Sequence, residues 1–479
     1  MTRNPNKNEK ANRQMGEQFP ARVFVLTAIP LFMVTLDNLV VTTALPSIRL
    51  DLGAGLEGLQ WTVNAYTLAF ATFLLTAAAL GDRLGRRRMF SVGLVVFTVA
   101  SALAALSPNE GTLIAARALQ GLGAACIAPL SLTLLSEATT EGRRGLAIGL
   151  WSGISGLGVA LGPVIGGAII SGISWHWIFW VNVPIGLVVL PLVMRGLRES
   201  HGPNSTLDLP GLFLAAGGLL ALTFGIVRAP ALGWGSAAVV STIAVGVLTL
   251  AGFLYWESRS RAPMLPIRFF RSRAFSATNV VSFAMFFGTF GAIFFLAQFF
   301  QTVQGYSALQ AGLRTLPWTA MPLLVAPVAG IFSDRLGARP LMAAGLALQA
   351  FAIGWIAVKM DVAVPYADLV PAFVAGGVGM ALVFAPSANA VLASVRPKEA
   401  GQASGATNTI RELGGVMGIA ILATAFSAAG SYASPETFVD GATAAMPIGA
   451  AVLVVGVIAA LLVPSAKGAT GPVGSASPS

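Results

Sequence analysis

Apolar runs of roughly 20 residues or more follow one another along the whole chain, parted by short polar connections. They fall at 22–46, 58–80, 89–107, 111–137, 144–170, 175–196, 208–228, 235–256, 274–302, 309–333, 339–359, 366–394, 403–428 and 441–464. Each is about as long as a helix needs to be to cross the hydrocarbon core of a bilayer. The pattern predicts an all-α polytopic membrane protein of fourteen transmembrane helices. Composition strengthens this reading. Only 10% of the 479 residues are charged, against about 25% in soluble domains, and the mean hydropathy is +0.79. The 54 Gly and 27 Pro do not argue against helices, because neighbouring membrane helices re-satisfy freed backbone groups. Residues 1–21 are polar and basic, with no apolar core of a signal peptide, so they read as a tail and the first span as retained.

Where the charges fall changes the meaning of the net +10. With the N-terminus inside, 23 Lys and Arg fall on the cytoplasmic side and three on the other, Arg49, Arg228 and Lys359. Three more, Arg117, Arg314 and Arg411, lie within spans; Arg314 is near an outer end, where it is expected to snorkel. This is the positive-inside asymmetry expected of a cell-membrane protein with both termini cytoplasmic, not a nucleic-acid footprint. Asn204-Ser205-Thr206, a glycosylation pattern, falls in a cytoplasmic loop on this topology. Arg outnumbers Lys 24 to 5, a habit of GC-rich bacterial genomes.

Candidate catalytic chemistry is sparse. A single cysteine, Cys126, and two histidines provide no disulfide and little for a metal, and no Lys follows a Gly, so there is no phosphate-binding loop. No cofactor, metal or enzymatic activity is expected, and an ion gradient is the expected energy source for uphill transport.

An internal repeat organises the chain. "ALGDRLGRRR" (79–88) and "IFSDRLGARP" (331–340) share Asp-Arg-Leu-Gly-x-Arg, 252 residues apart, after the second and tenth spans. Duplicated halves with the substrate path between them are a common transporter plan. The expected organisation is a tail (1–21), a six-helix bundle (22–200), two extra helices and a linker (201–260), a second six-helix bundle (261–464) and a cytoplasmic tail (465–479).

Six motifs carry a resemblance over nearly the whole length. "ALGDRLGRRR" resembles the G-x-L-x-D-R-x-G-R-K/R loop of the major facilitator superfamily at Asp82, Arg83, Gly85, Arg86 and Arg87, with Ala78 for the leading Gly. "LIAARALQGLGAA" (113–125) matches its fourth-helix motif at Arg117, Gln120, Gly121 and Gly123. "GVALGPVIGG" (158–167) matches the fifth-helix antiporter motif at Gly158, Gly162, Pro163, Gly166 and Gly167. "WHWIFWVNVPIG" (175–186) resembles an exporter motif with His176 in place of Arg, and "LDNLVVTTALP" (36–46) one in which Leu39 and Thr42 replace Thr and Asn. "GATNTIRELGGVMGIA" (405–420) resembles the thirteenth exporter helix, with Glu412 where Gln is common. The chain thus resembles the fourteen-helix drug:proton antiporters. The resemblance implies a 6 + 2 + 6 major facilitator fold, small amphipathic or cationic substrates, exchange with protons by alternating access, and a monomer among membrane lipids. It also implies a cytoplasmic gate in which Asp82, Arg83, Gly85 and Arg86, with Asp334 and Arg335 of the repeat, join a charge network and a helix end of the opposite half.

The residues support that chemistry on their own terms. Gly158, Gly162 and Gly166 recur every fourth residue, a bare stripe against which a neighbouring backbone can lie. The 28 Phe, 13 Met and 9 Trp suit a broad apolar path, though most are expected to face lipid or pack helices. Of nineteen acids, only Asp37 and Glu412 fall well inside spans. A charge at a helix centre costs about 2.5–3.5 kcal/mol, so such groups mark ion or substrate paths. Withdrawal from water favours the neutral carboxylic acid, which suits proton uptake and release. On the family pattern Arg117 lies near the first helix, where it would stabilise the Asp37 carboxylate when close and release it when distant. The bland alternatives are a static Asp37–Arg117 pair that only fixes packing, and a Glu412 neutralised by adjacent Arg411. A metabolite symporter and a non-transporting receptor or scaffold are the competing functions. The antiporter motif opposes the first, and the lack of large soluble domains opposes the second.

Overall fold

The computed structural model describes residues 21–140, 144–202, 208–260, 263, 265–396 and 399–464, and among these there is helix and connection but no strand. The two terminal tails and the Asn204-Ser205-Thr206 pattern lie outside the described residues. The helices are α1 (Ala21–Leu52), α2 (Leu56–Leu84), α3 (Arg86–Ala105), α4 (Glu110–Ala138), α5 (Arg144–Gly172), α6 (Trp177–Trp180), α7 (Asn182–Gly196), α8 (Leu209–Leu232) and α9 (Ala237–Arg259). After a 3-10 turn (Ile267–Arg271) come α10 (Arg273–Gln298), a π turn (Phe299–Val303), α11 (Ala308–Thr319), α12 (Met321–Leu336), α13 (Ala338–Lys359), α14 (Tyr366–Ala393), α15 (Ala400–Ala429) and α16 (Pro435–Leu461).

Short polar side chains start many of these helices by taking up free N–H groups. Asn109 accepts from the Thr112 N–H before α4, Asp208 from Gly211 before α8, and Ser307 and Gln310 form a reciprocal capping box before α11. Apolar length rather than amphipathicity then sustains them, as expected where both faces meet hydrocarbon or protein.

Among the described residues twelve helices are long and apolar enough to cross a membrane, and α2 makes a thirteenth if its two halves, bent by 49°, count as one. The expected run 309–333 is two helices, α11 and α12, of 12 and 16 residues, parted at Ala320. Each is shorter than the roughly 17 residues a single crossing requires.

Two compact units divide the chain. The first holds α1–α9 together with Phe300–Ala320, and so includes α11; the second holds Leu265–Phe299, hence α10, with α12–α16. Inside the first unit α4 is central, packed on α2, α3 and α1, while α5 lies on α1 and α11, and α8 pairs with α9 and leans on α2. Small residues allow the close approaches. A Cβ on Gly121 would stand 2.2 Å from the Tyr66 carbonyl of α2, and one on Gly123 would stand 2.6 Å from the Phe97 N of α3. In the second unit α10 packs on α15 and α16, α13 on α14 and α16, and α12 on α14. Gly414 and Gly418 seat α15 against the Phe283 and Phe287 carbonyls of α10.

Overpacking a seam of this kind costs about 1–3 kcal/mol. Gly123→Ala is therefore expected to lower the thermal unfolding midpoint in detergent, whereas Gly153→Ala, with nothing within 4 Å of the added carbon, leaves it unchanged or slightly higher.

Candidate functional site

Five elements converge on Asp37. The residue sits on α1 and is 3% exposed; Arg117 on α4, with which it forms an ion pair through Nη1, is 0% exposed. A charge pair this far from water is stable only if its remaining donors and acceptors are met. Gln120, one turn beyond Arg117, donates from Nε2 to Asp37 Oδ1 (2.8 Å) and to Ser101 Oγ on α3 (2.8 Å), and its Oε1 accepts from Arg117 Nη1 (2.6 Å). Asn182, first residue of α7, donates from Nδ2 to Asp37 Oδ1 (3.2 Å). From α2, the Thr62 carbonyl accepts from Arg117 Nε (3.2 Å), and the Tyr66 ring lies 4.3 Å beneath the guanidinium. Two polar atoms in this network, Arg117 Nη2 and Asn182 Oδ1, are buried with no hydrogen-bond partner among the described residues.

The glycine stripe of α5 borders this network. Carbons added to Gly158, Gly162 and Gly166 would meet Thr35, Leu39 and Val40, the α1 residues flanking Asp37. Pro163 and Gly167 face α11 instead: a Cβ on Gly167 would stand 2.6 Å from the Ala308 carbonyl, and one on Gly312 would stand 2.4 Å from the Pro163 carbonyl. The motif therefore seats two neighbours on two sides of one helix.

At the other end of α4 lies a second charge cluster. Arg86 donates from Nε to Asp82 Oδ1 (2.8 Å) and pairs with Glu137 near the end of α4; its own N–H donates to the Ser200 carbonyl (2.9 Å). Glu199 accepts from the N–H groups of Arg87 (2.9 Å) and Arg88 (3.2 Å), capping α3, and the Gly202 N–H donates to the Asp82 carbonyl (2.8 Å). Gly85 is required twice over. Its φ of 108° is the left-handed side of the map, and a Cβ there would stand 2.7 Å from the Glu199 carboxyl carbon. The repeated turn shares this conformation, with Gly337 at φ 83°. Arg83 and Arg335 are exposed, and the Asp334 side chain lies outside the described residues.

Glu412 belongs to the other unit and is half-buried on α15. Neighbouring Arg411 donates to Ser387 Oγ (2.9 Å) and Asn408 Oδ1 (3.5 Å) and lies against the rings of Phe384 and Phe286. No ion pair joins Arg411 to Glu412 among the described residues. Arg314 lies over the Tyr306 ring, 3.5 Å from its centroid. One acid at a span end is also buried. Glu257, in the last turn of α9, is 3% exposed, because Gly211 on α8 gives its carboxylate room to turn inward. Its position at a span end concealed it. Ser101, Glu137, Glu199 and Ser200 were not singled out by any motif, whereas Gln120 and Asn182 each stand in one.

Comparison with known proteins agrees with this architecture. The family model described as Major Facilitator Superfamily matches residues 27–419. The cephamycin export protein CmcT of Amycolatopsis lactamdurans is 38% identical over 432 residues, 89% of each chain. The tetracenomycin C resistance and export protein of Streptomyces glaucescens is 36% identical over 411 residues, 85% of this chain and 76% of that one. The multidrug efflux pump LfrA of Mycolicibacterium smegmatis is 34% identical over 415 residues, 85% and 82% of the two chains. Among solved structures, a bacterial homologue of the human lysosomal transporter Spinster superposes with a TM-score of 0.63 at 16% identity, covering 93% of this chain and 97% of that one.

Removing one partner of a buried pair leaves a bare charge and costs about 3–5 kcal/mol. Arg117→Ala is expected to lower the unfolding midpoint more than the double change Asp37→Asn with Arg117→Ala, a coupling that a double-mutant cycle in detergent measures.

Proposed function

The chain belongs to the Major Facilitator Superfamily, and from that premise we propose that this multi-pass membrane transporter exports amphipathic or cationic drugs, antibiotics or toxic compounds in exchange for protons by alternating access. The observation that carries the reading is the Asp37–Arg117 pair, buried and shared among α1, α2, α3, α4 and α7. A carboxylate engaged by a guanidinium and one holding a proton are mutually exclusive states. Proton arrival at Asp37 frees Arg117, and helix packing that depends on the pair must readjust. A cationic substrate competes with the proton for the same negative group, which is the elementary requirement for exchange. The activities for which the relatives are named, export of cephamycin and tetracenomycin C and multidrug efflux, favour drugs as cargo.

The remaining parts take roles within this reading. α11 and α12 together form a fourteenth span, giving 6 + 2 + 6 helices with bundles at 22–200 and 261–464, the extra pair at 201–260 and both termini cytoplasmic. Asp82, Arg83, Gly85 and Arg86, with Asp334 and Arg335, work the cytoplasmic gate. Gly158, Gly162, Pro163, Gly166 and Gly167 let α5 slide on its neighbours. Glu412 is a second protonation site, the protein is a monomer, and the proton gradient drives it without a cofactor.

Flux of a fluorescent cationic dye in proteoliposomes under an imposed pH gradient tests the core of this. Wild type should follow the gradient and Asp37→Asn should lose gradient-driven flux; a wild type indifferent to the gradient would overturn proton exchange. Asp82→Asn, at equal surface expression, is expected to slow transport without abolishing dye binding, as measured by whole-cell efflux beside equilibrium binding in detergent.

A further inference from the structure

The Asp37 network lies deep in the first unit, and one route to it for a proton runs along the helices from an end. One end of α4 carries the Asp82–Arg86–Glu137 cluster; the other begins at Glu110. Seven residues separate Glu110 from Arg117, just under two helical turns, so the two side chains share a face of α4 about 10 Å apart along its axis. That face meets α2 at both levels. The Glu110 carboxyl is seated over Gly58, where an added Cβ would stand 2.0 Å from Oε2 and 2.8 Å from Cδ. One turn further along α2, the Thr62 hydroxyl donates to the Gly58 carbonyl (2.9 Å), while the Thr62 carbonyl accepts from Arg117 Nε.

Two atoms on this seam are left over. Glu110 Oε2 is buried without a hydrogen-bond partner among the described residues, and so is Arg117 Nη2. An acceptor and a donor, both withdrawn from bulk water and facing the same helix, are each a group that a buried water satisfies. Other charged residues near this end are few. α3 and α5 bring none to this half of their length, α1 brings Arg49 and Asp51 in its last turn, and α2 carries Glu57, whose side chain lies outside the described residues.

We propose that Glu110 is the outer proton-collecting residue of the exchanger, taking a proton from the external medium and passing it through water along the α2–α4 seam to Asp37. The assignment rests on the proton-exchange reading above. In each transfer the proton leaves the Glu110 carboxyl for a water, a proton of that water moves on, and Asp37 receives one as its pairing with Arg117 is released. Nothing is oxidised or reduced, and Glu110 is restored as a carboxylate. Gly58 belongs to the device, because any side chain there would push the carboxyl off the seam.

The test is the dependence of dye efflux on external proton concentration in proteoliposomes of fixed orientation. Glu110→Gln should raise the apparent proton KM by about tenfold or more, with the maximal rate at saturating acid largely kept. Glu110→Asp should restore part of the affinity, and Gly58→Ala should reproduce the defect without touching a titratable group. Substrate-induced proton release in detergent, which reports the interior sites Asp37 and Glu412, should be the same in Glu110→Gln as in wild type. A gradient-driven wild type with an unchanged proton KM in Glu110→Gln overturns the relay and leaves proton exchange standing. A maximal rate reduced equally at every pH also overturns it, identifying Glu110 as a structural first-turn acid. If Glu110→Gln fails to insert, Glu110→Asp and Gly58→Ala decide on the same constant.

Discussion

A carboxylate taken out of water has to be paired, and the pairing of Asp37 with Arg117 sets conditions that most of the first unit meets. The guanidinium sits with its carboxylate partner on one side and a tyrosine ring on the other, and Gln120 and Asn182 complete the acceptor shell. For these groups to reach one another, three helix backbones must lie unusually close to α4 and α1. Gly121 and Gly123 allow this for α2 and α3, and Gly158 and Gly162 for α5. The polar chemistry and the glycine content of these helices serve one constraint, since the close approaches that glycine permits bring the partners of the buried pair within reach of it.

Much of this is legible in the sequence alone. Apolar run length located the helices, because hydrocarbon thickness is a fixed ruler, and rarity in an apolar run marked Asp37 and Arg117. The misses have physical reasons. Run length cannot distinguish one straight helix from two parted at Ala320, since no charged residue stands between the end of α11 and the start of α12. Ser101 is a small hydroxyl of the kind that ordinarily bonds its own helix backbone, so nothing in the chain marks it as the residue that bridges Gln120 and Asn182. Glu257 sits where an acid normally reaches solvent, and only the missing side chain of Gly211 opposite it allows inward burial.

The two halves share a backbone device more faithfully than a chemistry. The turns at Gly85 and Gly337 both need the left-handed region, and each glycine N–H closes on the carbonyl four residues back. Yet the first unit buries an acid against an arginine, whereas in the second Arg411 binds Ser387 and aromatic faces, leaving Glu412 outside such a pair. The two turns agree in backbone and differ in the charge chemistry of the units around them.

The placement of α11 has a consequence for biogenesis. The surface of α5 around Pro163 and Gly167 is shaped to receive a segment lying well over a hundred residues later in the chain, beyond the start of the second unit. A ribosome working at ordinary speed needs roughly 3 to 11 seconds to travel from residue 264 to residue 320. Through that interval α5 lacks the neighbour that α11 later supplies.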